Sequence, residues 1–196
     1  MGVSLFFLER EKRTEELLPP LQVELVPVGG LPSWVLTELR PKLQESFRGG
    51  LRAVPSPPLE VPGRAYRPER GQYEAPAFLE EMLGRCEGRF LAVTGVDLYV
   101  PGLNFVFGLA QCPGRGAVVS LHRLDPGFYG RKGGKRLFLE RLVKEAVHEV
   151  GHTLGLGHCR GRCVMSFSNS ILEVDAKGGD FCPSCLRRLG NSLWVP

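Results

Sequence analysis

No run of apolar residues in this chain is long enough to cross a bilayer, so a membrane-spanning protein is not expected. The first hydrophobic stretch, Val3 to Leu8, is six residues long and runs straight into Glu9, Arg10, Glu11 and Lys12. It lacks the basic start, the longer apolar middle and the small-residue cleavage site of a secretory leader. Position six is Phe6 where a myristoylation signal needs Ser or Thr. A cytoplasmic location, with thiols kept reduced, is the expectation. There is no block of like charge either: 25 Lys and Arg stand against 21 Asp and Glu. So small a surplus reads as solvated surface and argues against a nucleic-acid or membrane partner. No internal repeat is present. Histidine is scarce, with four in 196 residues, and where they fall is the most informative feature of the chain.

Three of the four lie in His148-Glu149-Val150-Gly151-His152-Thr153-Leu154-Gly155-Leu156-Gly157-His158. On a helix, His148 and His152 stand one turn apart on the same face, so both rings reach one metal ion. Glu149 lies beside them, placed to serve as a base without being a ligand. Gly155 is a natural helix stop, because glycine enters the left-handed region cheaply. The chain then turns back and offers His158 as third ligand. Three imidazoles with an open fourth position describe a catalytic zinc site rather than a closed structural one. A helix with surface histidines does not account for this clustering. The fourth, His122, near a strand end, reads as a hydrogen-bonded structural residue and is left out of the site.

A length of 196 residues suits one compact domain, or one domain with two lobes, with its own core. Hydrophobic content of 43% and charged content of 23% are ordinary for a globular protein. Glycine and proline, 25 and 16, imply many turns without low complexity.

Of six cysteines, Cys159, Cys163, Cys182 and Cys185 form two close pairs, and Cys182-Pro183-Ser184-Cys185 is a C-x-x-C knuckle. Four thiolates in two pairs point first to a closed structural zinc site, with disulfides or thiol redox chemistry as alternatives. Such a site would compensate for the little core that a tail of about forty residues can build. Cys86 and Cys112 have no near partner and read as buried or half-buried free thiols.

Cys163-Val164-Met165 follows the third histidine closely. An extended zinc helix with a downstream methionine resembles the metzincin clan, and the flanking cysteines narrow the resemblance to the archaemetzincins. It is specific from His148 to Cys185 and extends more softly over residues 96 to 108. The resemblance implies a zinc metallopeptidase acting on peptide or protein substrates. His148, His152 and His158 would hold the catalytic zinc and Glu149 would be general base. Cys159, Cys163, Cys182 and Cys185 would hold a second, structural zinc, and Met165 would be the turn methionine, physically an apolar floor under the imidazoles. One departure stands out: several metzincins carry a tyrosine two residues after that methionine, whereas this chain has Phe167, which has no hydroxyl.

Along the chain, Leu21 to Val28 reads as a strand, and Ser33 as the N-cap of a helix carrying Val35, Leu39, Leu43 and Phe47, kinked or split at Pro41. A proline-rich stretch over residues 50 to 76 allows a strand near Leu59. Phe78 to Cys86 reads as a helix; Phe90 to Val100, Leu103 to Leu109 and Ala117 to Leu124 read as strands. Tyr129, Gly130, Gly133 and Gly134 belong to a loop before a long helix, Lys135 to Thr153. Its Leu139, Leu142, Val143, Ala146 and Val150 face a sheet while the histidines face a cleft.

The fold class is therefore α/β (α+β). The resemblance implies a small mixed sheet with one antiparallel edge strand above the cleft and a short zinc-bound C-terminal lobe. Residues 1–157 would form the first lobe and 158–196 the second. Substrate is expected to extend along the edge strand, with Leu103 to Phe107 as candidate. A monomer is expected. The rival reading is a non-enzymatic zinc-binding interaction protein with a vestigial upper site, against which stands the intact Glu149.

Overall fold

The computed structural model describes residues 19–131 and 134–193, apart from the side chains of residues 191 and 192. The Val3 to Leu8 run and Gly133 lie outside them. Among the described residues the elements run β1 (Leu21–Val28), α1 (Trp34–Ser46), β2 (Leu51–Pro55), β3 (Tyr66–Arg67), β4 (Gln72–Glu74), α2 (Ala75–Arg85), β5 (Phe90–Thr94), β6 (Leu98–Tyr99), β7 (Gly108–Ala110), β8 (Gly116–Ser120), α3 (Lys135–Thr153), α4 (Ile171–Ala176) and α5 (Pro183–Leu193). No helix among them is long and apolar enough to cross a membrane.

The main sheet has strand order β2-β1-β5-β8-β7, all parallel except β7, which pairs antiparallel with β8 at the margin. The expected mixed sheet with one antiparallel edge is present. A second, three-stranded sheet orders β3-β4-β6. Strands β5 and β8 are buried at every residue because both faces of the main sheet are covered. Val23, Leu25, Leu91, Val93, Ala117 and Val119 pack with residues of α1 and α3, while Val26, Val28, Phe90, Ala92 and Val118 pack with Phe78, Leu79 and Met82 of α2. Cys163, Val164, Met165, Val174, Phe181, Cys185 and Leu189 from the tail join the first of these clusters.

Several sequence expectations change in detail. Ser33 precedes α1 but makes no side-chain capping bond, and Pro41 lies inside one continuous helix. Helix α2 starts at Ala75, three residues before the expected Phe78, because Pro76 sits in the first turn, where its missing N–H leaves no bond unmade. Leu59 makes only an isolated bridge to Val28, and the strands of that stretch are β2, β3 and β4. The expected strand Phe90 to Val100 is broken between β5 and β6, where Asp97 is drawn into bonds with Arg123 and Gln72.

The expected strand Leu103 to Leu109 is regular only over β7. Residues before it are held otherwise: Leu103 N–H closes a turn on the Val100 carbonyl, and Gln72 Nε2 and Arg70 Nη2 donate to the Asn104 carbonyl. Side chains thus satisfy a backbone that would otherwise need a ladder. Helix α3 has the expected bounds, with Leu139, Leu142, Ala146 and Val150 buried.

Candidate metal centres and active site

The end of α3 places the first two histidines. Gly155, at φ +85°, terminates the helix: its N–H donates to the His152 carbonyl at 2.9 Å and the Leu156 N–H donates to the Gly151 carbonyl at 3.1 Å. That pair of hydrogen bonds, with a left-handed residue only glycine adopts freely, turns the chain sharply and delivers His158 to the other two rings. Ring centroids lie 4.5 Å apart for His148–His152, 4.9 Å for His152–His158 and 5.4 Å for His148–His158. One ligand atom from each falls within 4.8 Å of the others.

The donor chemistry fits a metal. His148 Nδ1–H donates to the Val164 carbonyl at 2.9 Å, and His152 Nδ1–H to the Leu156 carbonyl at 2.7 Å. A carbonyl only accepts, so each Nδ1 carries the hydrogen and each neutral ring presents a bare Nε2 lone pair. Those two Nε2 atoms approach to 2.9 Å. Two lone pairs this close repel unless a cation lies between or beside them. Burial pushes all three histidines below their ordinary values, and His148 well below, so protons are poor candidates for that cation.

Glu149 shares the site and is almost fully buried. Burial raises its carboxyl well above the ordinary range, Glu145 adds to the rise and Lys177 opposes it. Glycine makes room for this carboxyl: a Cβ on Gly108 of β7 would lie 2.7 Å from Glu149 Cγ, from Glu149 Oε1 and from the Val118 carbonyl. Gly151 does the same beneath the helix, where a Cβ would meet Met165 Sδ at 2.6 Å. Met165 is fully buried against this helix. Phe167 sets its ring edge-on to His158 at 5.0 Å and is 55% exposed at the mouth of the site.

Behind Glu149, Lys177 Nζ and Glu145 Oε1 form an ion pair of 2.7 Å whose side chains are 3% and 4% exposed. Among the described residues neither atom has a hydrogen-bond partner of regular geometry, so each depends on the other's charge. Nothing in the sequence signals this pair, because the partners are far apart in the chain and follow no local pattern. The cleft in front of these groups measures about 330 Å³ and is walled by residues 105 to 110 on one side and by Phe167, Ser168 and Asn169 on another. A wider groove of about 730 Å³, along the first half of α3 and the tail, holds none of the histidines.

The four expected thiols also meet. Cys159, Cys163, Cys182 and Cys185 bring their sulfurs within 4.8 Å of one another, and none is in a disulfide. The Cys182 N–H donates to Cys163 Sγ at 3.3 Å and the Gly161 N–H to Cys159 Sγ at 3.4 Å, the donor pattern that supports thiolates. The Cys182 thiol is lowered to about 7, chiefly by the Cys185 N–H, while burial raises Cys163 and Cys185. One thiolate forms easily and the next ones meet its charge, the situation a bound dication relieves. Cys86 is buried, whereas Cys112 is exposed on the bend after β7, correcting the expectation for it. His122 lies apart from the triad, its ring against Phe128.

A helix carrying two histidines, a third after a glycine stop, a buried carboxyl beside them and a methionine floor define a metallopeptidase of the metzincin kind. The model of peptidase family M54 matches residues 69–191. The archaemetzincin of Thermococcus kodakarensis is 42% identical over 179 residues, which are 87% of this chain and 96% of that protein. That of Methanopyrus kandleri is 53% identical over 139 residues, 68% of this chain and 75% of the relative. The crystal structure of the Methanopyrus kandleri archaemetzincin superposes with a TM-score of 0.78 at 43% identity, covering 89% of this chain and 96% of the other. The archaemetzincin of Archaeoglobus fulgidus, complexed with malonate, gives 0.75 at 38% identity over 86% and 99% of the two chains. The chain belongs to peptidase family M54, the archaemetzincins, and is a zinc metallopeptidase.

Proposed function

We propose that the chain hydrolyses peptide bonds with Glu149 as general base, at a zinc held by His148, His152 and His158, and that Cys159, Cys163, Cys182 and Cys185 hold a second, structural zinc. The observation that carries this is the convergence of bare imidazole nitrogens beside a buried, otherwise uncommitted carboxyl. Bound zinc supplies Lewis acidity, polarising the scissile carbonyl and acidifying water. The Val164 and Leu156 carbonyls hold the rings in the tautomer and orientation that present Nε2. Glu149 takes a proton from the attacking water and delivers it to the departing amine nitrogen. Gly108 sets the backbone of β7 against this carboxyl.

Substrate lies extended along β7. The Phe107 carbonyl accepts from Ser120 N–H and Gln111 N–H donates to Gly116, so by alternation Gly108 and Ala110 turn their backbone groups away from β8, towards the open margin. This moves the expected template from Leu103–Phe107 to Gly108–Ala110. A peptide added there is held by main-chain bonds.

Glu149→Gln should retain both metals, two zinc per chain by elemental analysis, while peptide hydrolysis falls about 10²- to 10⁴-fold. His152→Ala should instead lose the histidine-held zinc. Equal turnover in Glu149→Gln and parent would refute the assignment of the base.

A further inference from the structure

The cleft is poor in groups that could hold a peptide other than through β7. Setting aside the three histidines, Glu149 and the ion-paired Glu145, its lining offers three protic side chains: the Cys112 thiol, the Ser168 hydroxyl and the Asn169 amide. The Cys112 Sγ already lies 3.5 Å from the Leu156 carbonyl, the same carbonyl that orients His152. Asn169 is exposed, and its backbone N–H is taken by Glu173. Ser168 differs from both. Its Oγ is shielded from solvent and has no hydrogen-bond partner among the described residues.

A shielded hydroxyl without a partner is rare, because it has given up water and gained nothing in return. Its two chain neighbours show that this is not the effect of a slack segment. Phe167 packs on His158, and the Asn169 N–H is bonded at 2.6 Å. Both sides of Ser168 are thus fixed while its own hydroxyl is left over, in a residue that lines the same cleft as the histidines. A hydroxyl in that condition has a hydrogen bond to gain when a ligand brings an acceptor within its reach.

We infer that Ser168 is a substrate-binding residue, turning about its Cα–Cβ bond to donate a hydrogen bond to a main-chain carbonyl of the bound peptide from the tail side of the cleft. This rests on the reading that peptides are cleaved in this cleft. It supplies what that reading lacks, a side-chain donor on the tail side of the cleft. Phe167 contributes only an apolar ring at the neighbouring position.

The test is Ser168→Ala in the zinc-loaded full chain, assayed for peptide hydrolysis, zinc content and melting temperature, with binding of a phosphinic tripeptide measured by calorimetry. The expected result is a loss of kcat/KM and of phosphinic tripeptide affinity by roughly tenfold or more. Zinc content should be unchanged, and the melting temperature unchanged or higher, since the variant removes an unmatched hydroxyl. A hydroxyl that is merely structural would move the melting temperature and leave kcat/KM and affinity as in the parent, and that outcome overturns the inference. If the parent itself fails to cleave peptides, the reading of peptide hydrolysis in this cleft falls. The role of Ser168 is then decided by the calorimetry, where equal affinity of parent and variant, or no binding by either, overturns it.

Discussion

At the scale of single residues, two glycines do more for the site than their size suggests. Gly108 and Gly151 are places where a methyl group would occupy space already taken by Glu149 and Met165. The two differ in what yields. At Gly151 the obstacle is a thioether in the core, so Gly151→Ala should overpack, costing about 1–3 kcal/mol and showing as a lower melting temperature with the base in place. At Gly108 the obstacles are the base itself and the backbone carbonyl of Val118, so Gly108→Ala should reduce kcat/KM by more than it lowers the melting temperature. Gly84, where an added methyl would meet nothing within 4 Å, is the control, and Gly84→Ala should leave both unchanged or improve stability. If Gly108→Ala retained full activity, Glu149 would have to lie elsewhere during catalysis. Neither constraint could be read from the sequence, where Gly151 is a free position in the histidine motif and Gly108 merely punctuates a strand.

At the scale of elements, β7 makes the most exposed claim. Proline at position 110 removes an outward N–H while leaving the bonds from residues 107 and 111 to β8 in place, whereas proline at 109 strikes the ladder itself. Ala110→Pro should therefore fold, keep its zinc and lose about fivefold in kcat/KM, the equivalent of one main-chain hydrogen bond of about 1 kcal/mol. Leu109→Pro should lower the melting temperature. Unchanged kcat/KM in Ala110→Pro would place the peptide away from this strand. The strand was half legible beforehand. Alternating Leu103, Phe105 and Phe107 suggested pairing, but the Asn104 carbonyl is taken by Gln72 and Arg70, residues thirty positions away that no local pattern reveals. Helix α3, the histidine triad and the paired cysteines were legible because their chemistry fixes short spacings. The Lys177–Glu145 pair and the break at Asp97 were not, because each is decided by a partner distant in sequence, nor was the Ser168 hydroxyl, whose want of a partner shows only once the chain is packed.

On the scale of the whole molecule, the tail is joined to the sheet domain by charge as well as by packing. Arg141 of α3, 1% exposed, grips Asp175 of α4 through two bonds of 2.7 and 2.8 Å, and Lys144 donates to the carbonyls of Val174 and Asp175 at 3.0 Å. The Arg141 guanidinium holds the Asp175 carboxyl below its ordinary value. A depressed carboxyl contributes stability that is present above the unfolded value, about 4, and is lost as pH falls through the folded one. The melting temperature of the parent should drop across that acid window. Asp175→Asn should melt lower at neutral pH and change less between about pH 4 and pH 2. Parallel acid profiles for the two would show that the pair carries no linkage.

The shape of β7 has one more consequence, for how copies of the chain treat one another. A sheet margin that welcomes a peptide strand also invites the same margin of a neighbour, and long open margins are where chains aggregate. Here the template is three residues long and turns outward only at Gly108 and Ala110, enough to hold the segment around one scissile bond but too little to seed a shared sheet. The far margin, β2, is closed by other means: the Ala53 N–H is occupied by Gln44 of α1 at 3.0 Å, Arg52 is exposed, and the strand ends in Pro55. The main sheet thus keeps one margin short and the other occupied.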